Sequence, residues 1–173
     1  RQLLGRLGCE VLDLGVVRDD PVQLKAAFEQ ASAQADAIIT SGGVSVGDAD
    51  FTKTLMKELG DVAFWRMAMK PGRPMAMGRM GQAVWFGLPG NPVAVMVTFL
   101  ALVRPALLKL MGLRSQDIGG PPMLKARSAE ALSKKPGRTE YLRVCVTRHP
   151  DGQLKVVTTG LQGSGMLSSM VQA

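Results

Sequence analysis

The sequence predicts an α/β fold with a mostly parallel sheet, followed by a smaller β domain. In residues 1–114, short apolar runs alternate with helical patterns, which is typical of βαβ units whose sheet is covered on both faces. Residues 92–111 are apolar nearly all round, as in a buried helix. After Gly112 the pattern changes to short runs separated by turn residues, which indicates a change of architecture.

The elements of the first part are predicted in a regular order. A helix is predicted over the opening residues, and further helices over residues 21–35, 51–59 and 92–111, the last bent near Pro105. Strands are predicted over residues 9–17, 37–40, 62–69, 75–77 and 83–88.

The second part follows a linker, GLRSQDIGGPP, at residues 112–122. Strands are predicted over residues 123–129, 141–147 and 154–159, and the last two flank a hairpin turn at Asp151-Gly152. We therefore place the domains at residues 1–114 and 121–173. The chain begins within a helical pattern and stops without a closing element, so we interpret it as part of a longer protein.

Composition excludes several function classes. The 173 residues are 46% hydrophobic with a net charge of +7, so a packed core and anionic partners are expected. Aromatic residues are few and are not interleaved with basic ones, which argues against nucleic-acid binding. The longest apolar run, residues 93–103, is too short to span a bilayer. Cys9 and Cys145 are interpreted as inert core thiols of a reducing compartment, which favours the cytoplasm.

Two glycine-containing loops each join a predicted strand to a helix. They are SGGVSVG at residues 41–47 and LPGNP at residues 88–92. In a parallel sheet both loops lie at the carboxyl edge, where ligands bind. Asn91 is expected to cap the following helix and Pro92 to begin it, leaving free N–H groups for an anion. Turns also need glycine for conformational reasons alone, so this interpretation stays open.

Charged residues follow the same predicted edge. Asp48 and Asp50 end the first loop, and Asp19 and Asp20 end the predicted strand 9–17. Clustered carboxylates beside phosphate-binding loops suit Mg²⁺, although helix capping is the simpler role for each aspartate. The turn KPGRP at residues 70–74 holds cations in a fixed geometry, and they could equally be solvated strand-end charges. From the residues alone, a site for a phosphorylated, metal-assisted substrate is predicted.

Three stretches together resemble one family. TSGGVSVGDADFTK, FWRMAMKPGRP and FGLPGNPVAVMVTF resemble the molybdopterin molybdenumtransferases, which include MoeA and the gephyrin E domain. The resemblance implies a three-layer α/β/α subdomain like that of the adenylyltransferase MogA, then the start of a β-barrel. It implies insertion of molybdate into adenylylated molybdopterin with release of AMP, using Mg²⁺ or alternatively Zn²⁺. It also implies a homodimer of the full-length protein and a molybdopterin adenylyltransferase as partner.

The resemblance also implies roles for single residues. The acids and cations expected in catalysis are Asp19, Asp50, Lys70 and Arg73, with Asp48 and Asp50 as metal ligands. Arg73 stands where the family commonly has Lys. PGRTEYLR and QGSGMLSS resemble segments near the oxyanion site and implicate Arg138 and Ser164. The expected substrate-binding residues are Gly42, Gly43, Ser45, Arg66, Pro89, Gly90, Asn91, Pro92, Arg138 and Ser164.

Two alternatives remain from the sequence. A molybdopterin adenylyltransferase would share the first subdomain but would lack a β domain after the buried helix. A non-catalytic scaffold would need an exposed apolar groove for a partner peptide, and no dedicated feature of the sequence indicates one. We expect the isolated segment to be inactive, because the subdomains that supply the facing wall of the site are absent from it.

Overall fold

A computed structural model describes residues 1–43, 54, 57–120 and 123–173. The chain separates into two compact units. The first unit comprises Arg1–Trp65 and Pro74–Leu88, and the second comprises Arg66–Arg73 and Pro89–Ala173. The domain boundaries predicted from the sequence, residues 1–114 and 121–173, differ from the boundaries of these two units. The predicted domains stay predictions.

The described part of the first unit combines helical segments with a four-stranded sheet. Its helices include α1 (Gln2–Gly5) and α2 (Pro21–Gln34). Its strands are β1 (Ala37–Ser41), β2 (Gly60–Arg66), β4 (Pro74–Met80) and β5 (Ala83–Leu88), in the order β1-β5-β4-β2. Residues 54 and 57–59, the described part of the predicted helix 51–59, are helical. The α/β class is therefore confirmed, and strand β5 is found where it was predicted.

The sheet is mixed rather than parallel throughout. β1 runs parallel to β5, with Ala37 opposite Val84 and Ser41 opposite Leu88. β4 runs antiparallel to β5, and the pairing of Met80 with Ala83 leaves a two-residue hairpin loop. The first residue of that loop is Gly81, with φ +59°, which suits the turn of a tight hairpin. The strand β4 thus departs from the parallel arrangement because a hairpin, rather than a crossover, joins it to β5.

The core of the first unit is built around Trp85, whose side chain is fully buried. Its ring makes edge-to-face contacts with Phe28 of α2 and Phe64 of β2, at centroid distances of 6.1 and 6.5 Å. Its indole N–H donates to Thr40 Oγ1 at 3.1 Å, so the polar atom of this buried ring is satisfied. Helix α2 is therefore packed on the sheet through aromatic contacts.

The strand predicted over residues 9–17 is wrong. These residues contain no strand in the structure. The Asp13 carboxylate accepts the N–H of Gly15 at 3.0 Å, and Gly15 has a φ of +70°, so the backbone turns within the apolar run. Val16 is 99% exposed. Local turn chemistry at Asp13 and Gly15 thus overrides the strand propensity of the valines and leucines around them.

The second unit is built on one long helix, α3 (Pro92–Leu110). Its middle, Phe99–Val103, is a π-helical turn that lies directly before Arg104 and Pro105. Proline lacks an N–H, and its ring collides with the preceding turn of a helix. The wider π-helical turn relieves this collision, and it lies close to Pro105, where the sequence predicts a bend. The helix has a mean hydropathy of 2.0. By length and composition alone, it is long and apolar enough to cross a membrane. Buried Val93 and Val97 pack instead against Met69 and Met170 of the same unit.

The β elements of the second unit form two small sheets. β3 (Met69–Lys70) pairs in parallel with β7 (Thr139–Glu140). β6 (Arg127–Ser128), β9 (Leu154–Thr158) and β8 (Val144–Arg148) form a three-stranded sheet in the order β6-β9-β8, and α4 (Ser168–Val171) follows. β8 and β9 form the predicted antiparallel hairpin around Asp151-Gly152. Closure into a barrel stays a prediction.

Candidate functional site

The two glycine-containing loops leave the sheet at the same edge. β1 and β5 are parallel neighbours, and they end side by side at Ser41 and Leu88. The N–H of Gly42 donates to the carbonyl of Leu88 at 3.1 Å, which ties the start of the first loop to the end of β5. Gly42 and Gly43 both have positive φ, +89° and +68°, a conformation that favours glycine. The prediction of a common edge is confirmed for these strands.

The residues expected to bind the substrate and metal beyond Gly43 are not all described. Ser45, Asp48 and Asp50 lie outside the described residues. Pro89 is buried and Gly90 exposed, both directly after β5. The roles predicted for these residues therefore stay predictions.

The KPGR turn, residues 70–73, is held from two sides within the second unit. The N–H of Met67 donates to the carbonyl of Arg73 at 2.7 Å and closes the turn. Gly72 has a φ of +101° and is packed against α3, where a Cβ atom would overlap Thr98 Oγ1. Glycine is thus required at this position both by conformation and by space. Lys70 and Arg73, which flank Gly72 and Pro71, are carried on a fixed backbone with both side chains exposed.

The segment that carries Arg138 lies beside this turn. In the β3–β7 pair, Lys70 is directly opposite Glu140. The N–H groups of Thr139 and Tyr141 donate to the carbonyls of Ala68 and Lys70, each at 2.8 Å. Lys70 Nζ lies 3.5 Å from Glu140 Oε2. Lys70 of the turn and the segment that follows Arg138 are therefore neighbours in the structure.

The segment that carries Ser164 contacts the start of α3. Asn91 Nδ2 donates to Ser164 Oγ at 3.1 Å, and the N–H of Val93 donates to the carbonyl of Ser164 at 3.1 Å. Asn91 occupies the N-cap position but accepts no capping hydrogen bond through its side chain. Pro92 has no N–H to offer. The start of α3 was expected to present free N–H groups to an anion. This expectation is wrong for its first two residues, because Pro92 has no N–H and the N–H of Val93 is already bound to the carbonyl of Ser164.

Arg143 organises this segment, and sequence reasoning missed it. Its side chain is buried, and it donates to Ser169 Oγ and to the carbonyl of Gly163, each at 3.0 Å. Its own N–H donates to Gln162 Oε1 at 2.8 Å. Burial lowers the pKa of Arg143, yet a guanidinium stays protonated at neutral pH. The available signal was an arginine placed directly before the run VCV of β8, since an arginine is expensive to bury unless its fork is satisfied.

The structure describes two of the acids that were expected at the edge of the sheet, Asp19 and Asp20. Asp20 caps α2 by accepting the N–H of Gln23 at 2.9 Å. Asp19 precedes it and is exposed, and the strand that it was expected to end is absent from residues 9–17. Arg66, the last residue of β2, is exposed. Among the described residues no group of three His, Cys, Asp or Glu side chains is placed to hold a metal ion. The predicted ligands Asp48 and Asp50 are outside that set.

Comparison with known proteins gives the family. Residues 1–109 match the family described as "Probable molybdopterin binding domain", and residues 125–173 match the "MoeA C-terminal region (domain IV)". The fold and these matches define a molybdopterin-binding α/β domain with an attached C-terminal β region. The chain belongs to this family of molybdenum cofactor biosynthesis proteins, and the resemblance stated from the motifs is confirmed.

Individual relatives agree with this assignment. A "Molybdopterin molybdenumtransferase" of Haemophilus influenzae is 44% identical over 171 residues, covering 99% of this chain and 42% of the relative. A "Gephyrin" of Dictyostelium discoideum is 33% identical over 92% of this chain and 25% of its own length. The crystal structure of a MoeA protein from Pyrococcus horikosii superposes with a TM-score of 0.73 at 32% identity, covering 99% of this chain and 40% of that one. This chain thus spans about two fifths of the relative from H. influenzae.

Proposed function

We propose that this chain is the molybdopterin-binding and C-terminal part of a molybdopterin molybdenumtransferase. The reaction is insertion of molybdate into adenylylated molybdopterin, with release of AMP. The observation that carries the proposal is the order of two family matches on one chain, a molybdopterin-binding domain followed by the MoeA C-terminal region. That second match also favours this activity over an adenylyltransferase, which lacks the β region.

Lys70 and Arg73 are proposed to hold the molybdate. Both are exposed cations on a turn whose backbone is fixed by Met67 and by the packing of Gly72. Fixed cations stabilise a dianion without having to reorganise first. Arg73 offers a planar fork where Lys offers a point charge. Arg66, Arg138 and Ser164 are proposed to complete this end of the site, which the contacts around β7 and Asn91 support.

The pterin and its phosphate are proposed to lie against the two loops at the edge where β1 and β5 end. Gly42 and Gly43 allow close approach of the backbone, and Ser45 offers a hydroxyl group. Pro89, Gly90, Asn91 and Pro92, in the loop that follows β5, are the further proposed binding residues. The hydrogen bond between Gly42 and Leu88, which fixes where both loops begin, supports this placement.

Mg²⁺ is proposed as the metal, with Zn²⁺ as the alternative. Asp48 and Asp50 are the proposed ligands, together with phosphate oxygens of the substrate, and Asp19 is the third proposed acid. When bound, the metal would polarise the phosphoanhydride that is cleaved. The support is the donor chemistry of two closely spaced carboxylates beside a phosphate-binding loop.

The assembly is proposed to be a homodimer of the full-length protein in the cytoplasm, receiving adenylylated molybdopterin from an adenylyltransferase partner. No nucleic acid and no membrane take part in this proposal. The support is the family assignment together with the cation-rich but aromatic-poor composition.

The test exchanges the matching 171 residues of the H. influenzae relative for this chain. We expect the chimera to form molybdenum cofactor from purified adenylylated molybdopterin and molybdate, and to release AMP. Asp50→Asn in the chimera should abolish both products. A folded chimera that releases no AMP and yields no cofactor would contradict the proposal.

A further inference from the structure

The ion pair between Lys70 and Glu140 is asymmetric. Lys70 Nζ lies 3.5 Å from Glu140 Oε2, but 54% of the lysine side chain is exposed against 11% of the glutamate side chain. The carboxylate is therefore held inside the protein, while the ammonium group reaches solvent. A ligand that approaches Lys70 from solvent must also approach this fixed negative charge.

The backbone pairing keeps Glu140 opposite Lys70. Lys70 and Glu140 are directly opposite in the β3–β7 pair, and the flanking bonds from Thr139 to Ala68 and from Tyr141 to Lys70 hold the register. The backbone of Glu140 cannot shift along β3 without breaking these bonds, and its side chain is mostly buried. The opposite wall of the turn is equally fixed, because Gly72 is packed against Thr98.

We propose that Glu140 is a specificity-determining residue that sets how strongly the KPGR turn discriminates between oxyanions of different charge. This inference rests on the proposed function, in which Lys70 and Arg73 hold molybdate. The Coulomb energy between Glu140 and a bound anion is proportional to the charge of that anion. The fixed carboxylate therefore weakens a dianion twice as strongly, in free energy, as a monoanion of the same shape. Molybdate, itself a dianion, is weakened to the same extent as other tetrahedral dianions, so the discrimination is between charges and not between dianions.

The experiment compares tungstate, a tetrahedral dianion, with perrhenate, a tetrahedral monoanion of similar size. Both are titrated into the intact chain by calorimetry at low ionic strength, because salt screens the effect. In Glu140→Gln, tungstate should bind about tenfold more tightly and perrhenate about threefold, from one unit charge removed at ~6 Å in a water-like dielectric. The ratio of the two affinities should therefore rise about threefold.

Three further variants make the result specific. Glu140→Asp keeps the charge and should retain the wild-type ratio. Asp117→Asn changes the net charge by the same amount, in the Arg114–Asp117 ion pair, and should leave the ratio unchanged. Glu140→Ser is a second neutral variant, used if Glu140→Gln does not fold.

Two outcomes separate this inference from the function on which it rests. If both anions bind the wild type and the ratio is the same in the neutral variants, Glu140 merely orients Lys70 and the inference is overturned. If neither anion binds the wild type, or if Lys70→Gln leaves binding unchanged, the proposed oxyanion site itself fails. The inference is supported if the ratio rises in Glu140→Gln or Glu140→Ser but not in the controls Glu140→Asp and Asp117→Asn.

Discussion

At the scale of single residues, the most constrained position of the candidate site is Gly72. It combines a left-handed backbone with a contact surface that has no room for a side chain. Its immediate neighbour in space is Thr98 Oγ1, a buried hydroxyl for which the described residues offer no hydrogen-bond partner. Both features lie directly behind the exposed cations Lys70 and Arg73. The packing of Gly72 thus adds to the backbone hydrogen bond from Met67 to Arg73 in holding the turn.

Gly72→Ala should destabilise the chain by about 3 kcal/mol, from backbone strain and overlap with Thr98 together. Gly137→Ala is the matched control, since Gly137 has a φ of +92° but a Cβ atom added there would have nothing within 4 Å. That control should cost only about 1–2 kcal/mol. Urea unfolding of both variants measures the difference. Equal losses would mean that the contact with Thr98 is not tight.

Thr98, which is buried, and Thr40, which is half-buried, should respond in opposite ways to substitution by valine. Thr98→Val removes an unpartnered hydroxyl and should leave stability unchanged or raise it by up to about 1 kcal/mol. Thr40→Val removes the acceptor of the Trp85 N–H and should cost about 1–3 kcal/mol, because the indole donor is left buried and unpaired. Thermal unfolding of the two variants provides the measurement. A large loss in Thr98→Val would reveal a partner for that hydroxyl.

Arg143→Met should cost about 3 kcal/mol, because two charge-assisted hydrogen bonds are lost and the carbonyl of Gly163 is left unsatisfied. Arg143→Lys should recover only part of the loss, since a single ammonium cannot reproduce the fork. Arg148→Met, at the exposed end of β8, the strand that directly follows Arg143, is the control and should stay within about 0.5 kcal/mol of the wild type. Chemical denaturation is the measurement, and equal effects at both positions would show that the buried fork contributes nothing.

At the scale of elements, local sequence patterns correctly predicted the segments whose structure depends on residues close in sequence. The run AVWFGL is apolar on both faces and became β5, and HPDGQ carried the signal of its own hairpin. The run at residues 9–17 looked equally apolar, but Asp13 and Gly15 form a turn within it. Gly81-Gln82 carries the Gly-X signal of a two-residue hairpin loop between β4 and β5. The antiparallel strand β4 could therefore have been predicted from the sequence.

The contacts of the candidate site could not be predicted from local patterns. The motifs indicated Lys70, Asn91 and Ser164 separately, but only the structure pairs Ser164 with Asn91 and Glu140 with Lys70. Such contacts join segments far apart in sequence, and no periodicity encodes them. Arg143 was missed for the same reason, since its partners Gly163 and Ser169 follow it by about twenty residues or more.

The β6–β9 sheet should weaken in acid because of Glu130. Hydrogen bonds from the Thr158 side chain and backbone N–H lower the pKa of Glu130 below its ordinary value of 4.5. A carboxyl group whose pKa is lower in the folded state stabilises the fold above its unfolded pKa, and that contribution is lost as the pH falls through the folded pKa. Glu130→Gln should therefore be less stable than the wild type at neutral pH, and the gap should close in acid. A gap that is independent of pH would exclude this role.

At the scale of the whole molecule, the linker at residues 112–122 separates the chain in sequence but not in packing. α3 lies before the linker, and Ser164 and Met170, which contact its first turns, lie after it. β3 likewise pairs with β7 across the same stretch. The β region after the linker is therefore part of the same compact unit as the long helix.

A protease site inserted after Arg114 should yield two pieces that elute together in size-exclusion chromatography. The reason is that the β3–β7 pair and the packing of Met170 on Val93 and Val97 join residues on both sides of the cut. Adding urea should separate the two pieces, which controls for an incomplete cut. Pieces that separate in buffer alone would show that residues 121–173 form an independent domain.

Helix α3 also has a consequence for how the protein is made. During synthesis this helix, apolar enough to be mistaken for a membrane anchor, leaves the ribosome well before Met170, which covers part of it. At ordinary elongation rates it is therefore exposed for several seconds on the nascent chain. We expect ribosome-associated chaperones to bind this stretch while it waits, and crosslinking of stalled chains should find them there. Release should coincide with the emergence of Ser164 and Met170, because these two residues cover the first turns of the helix and end its exposure.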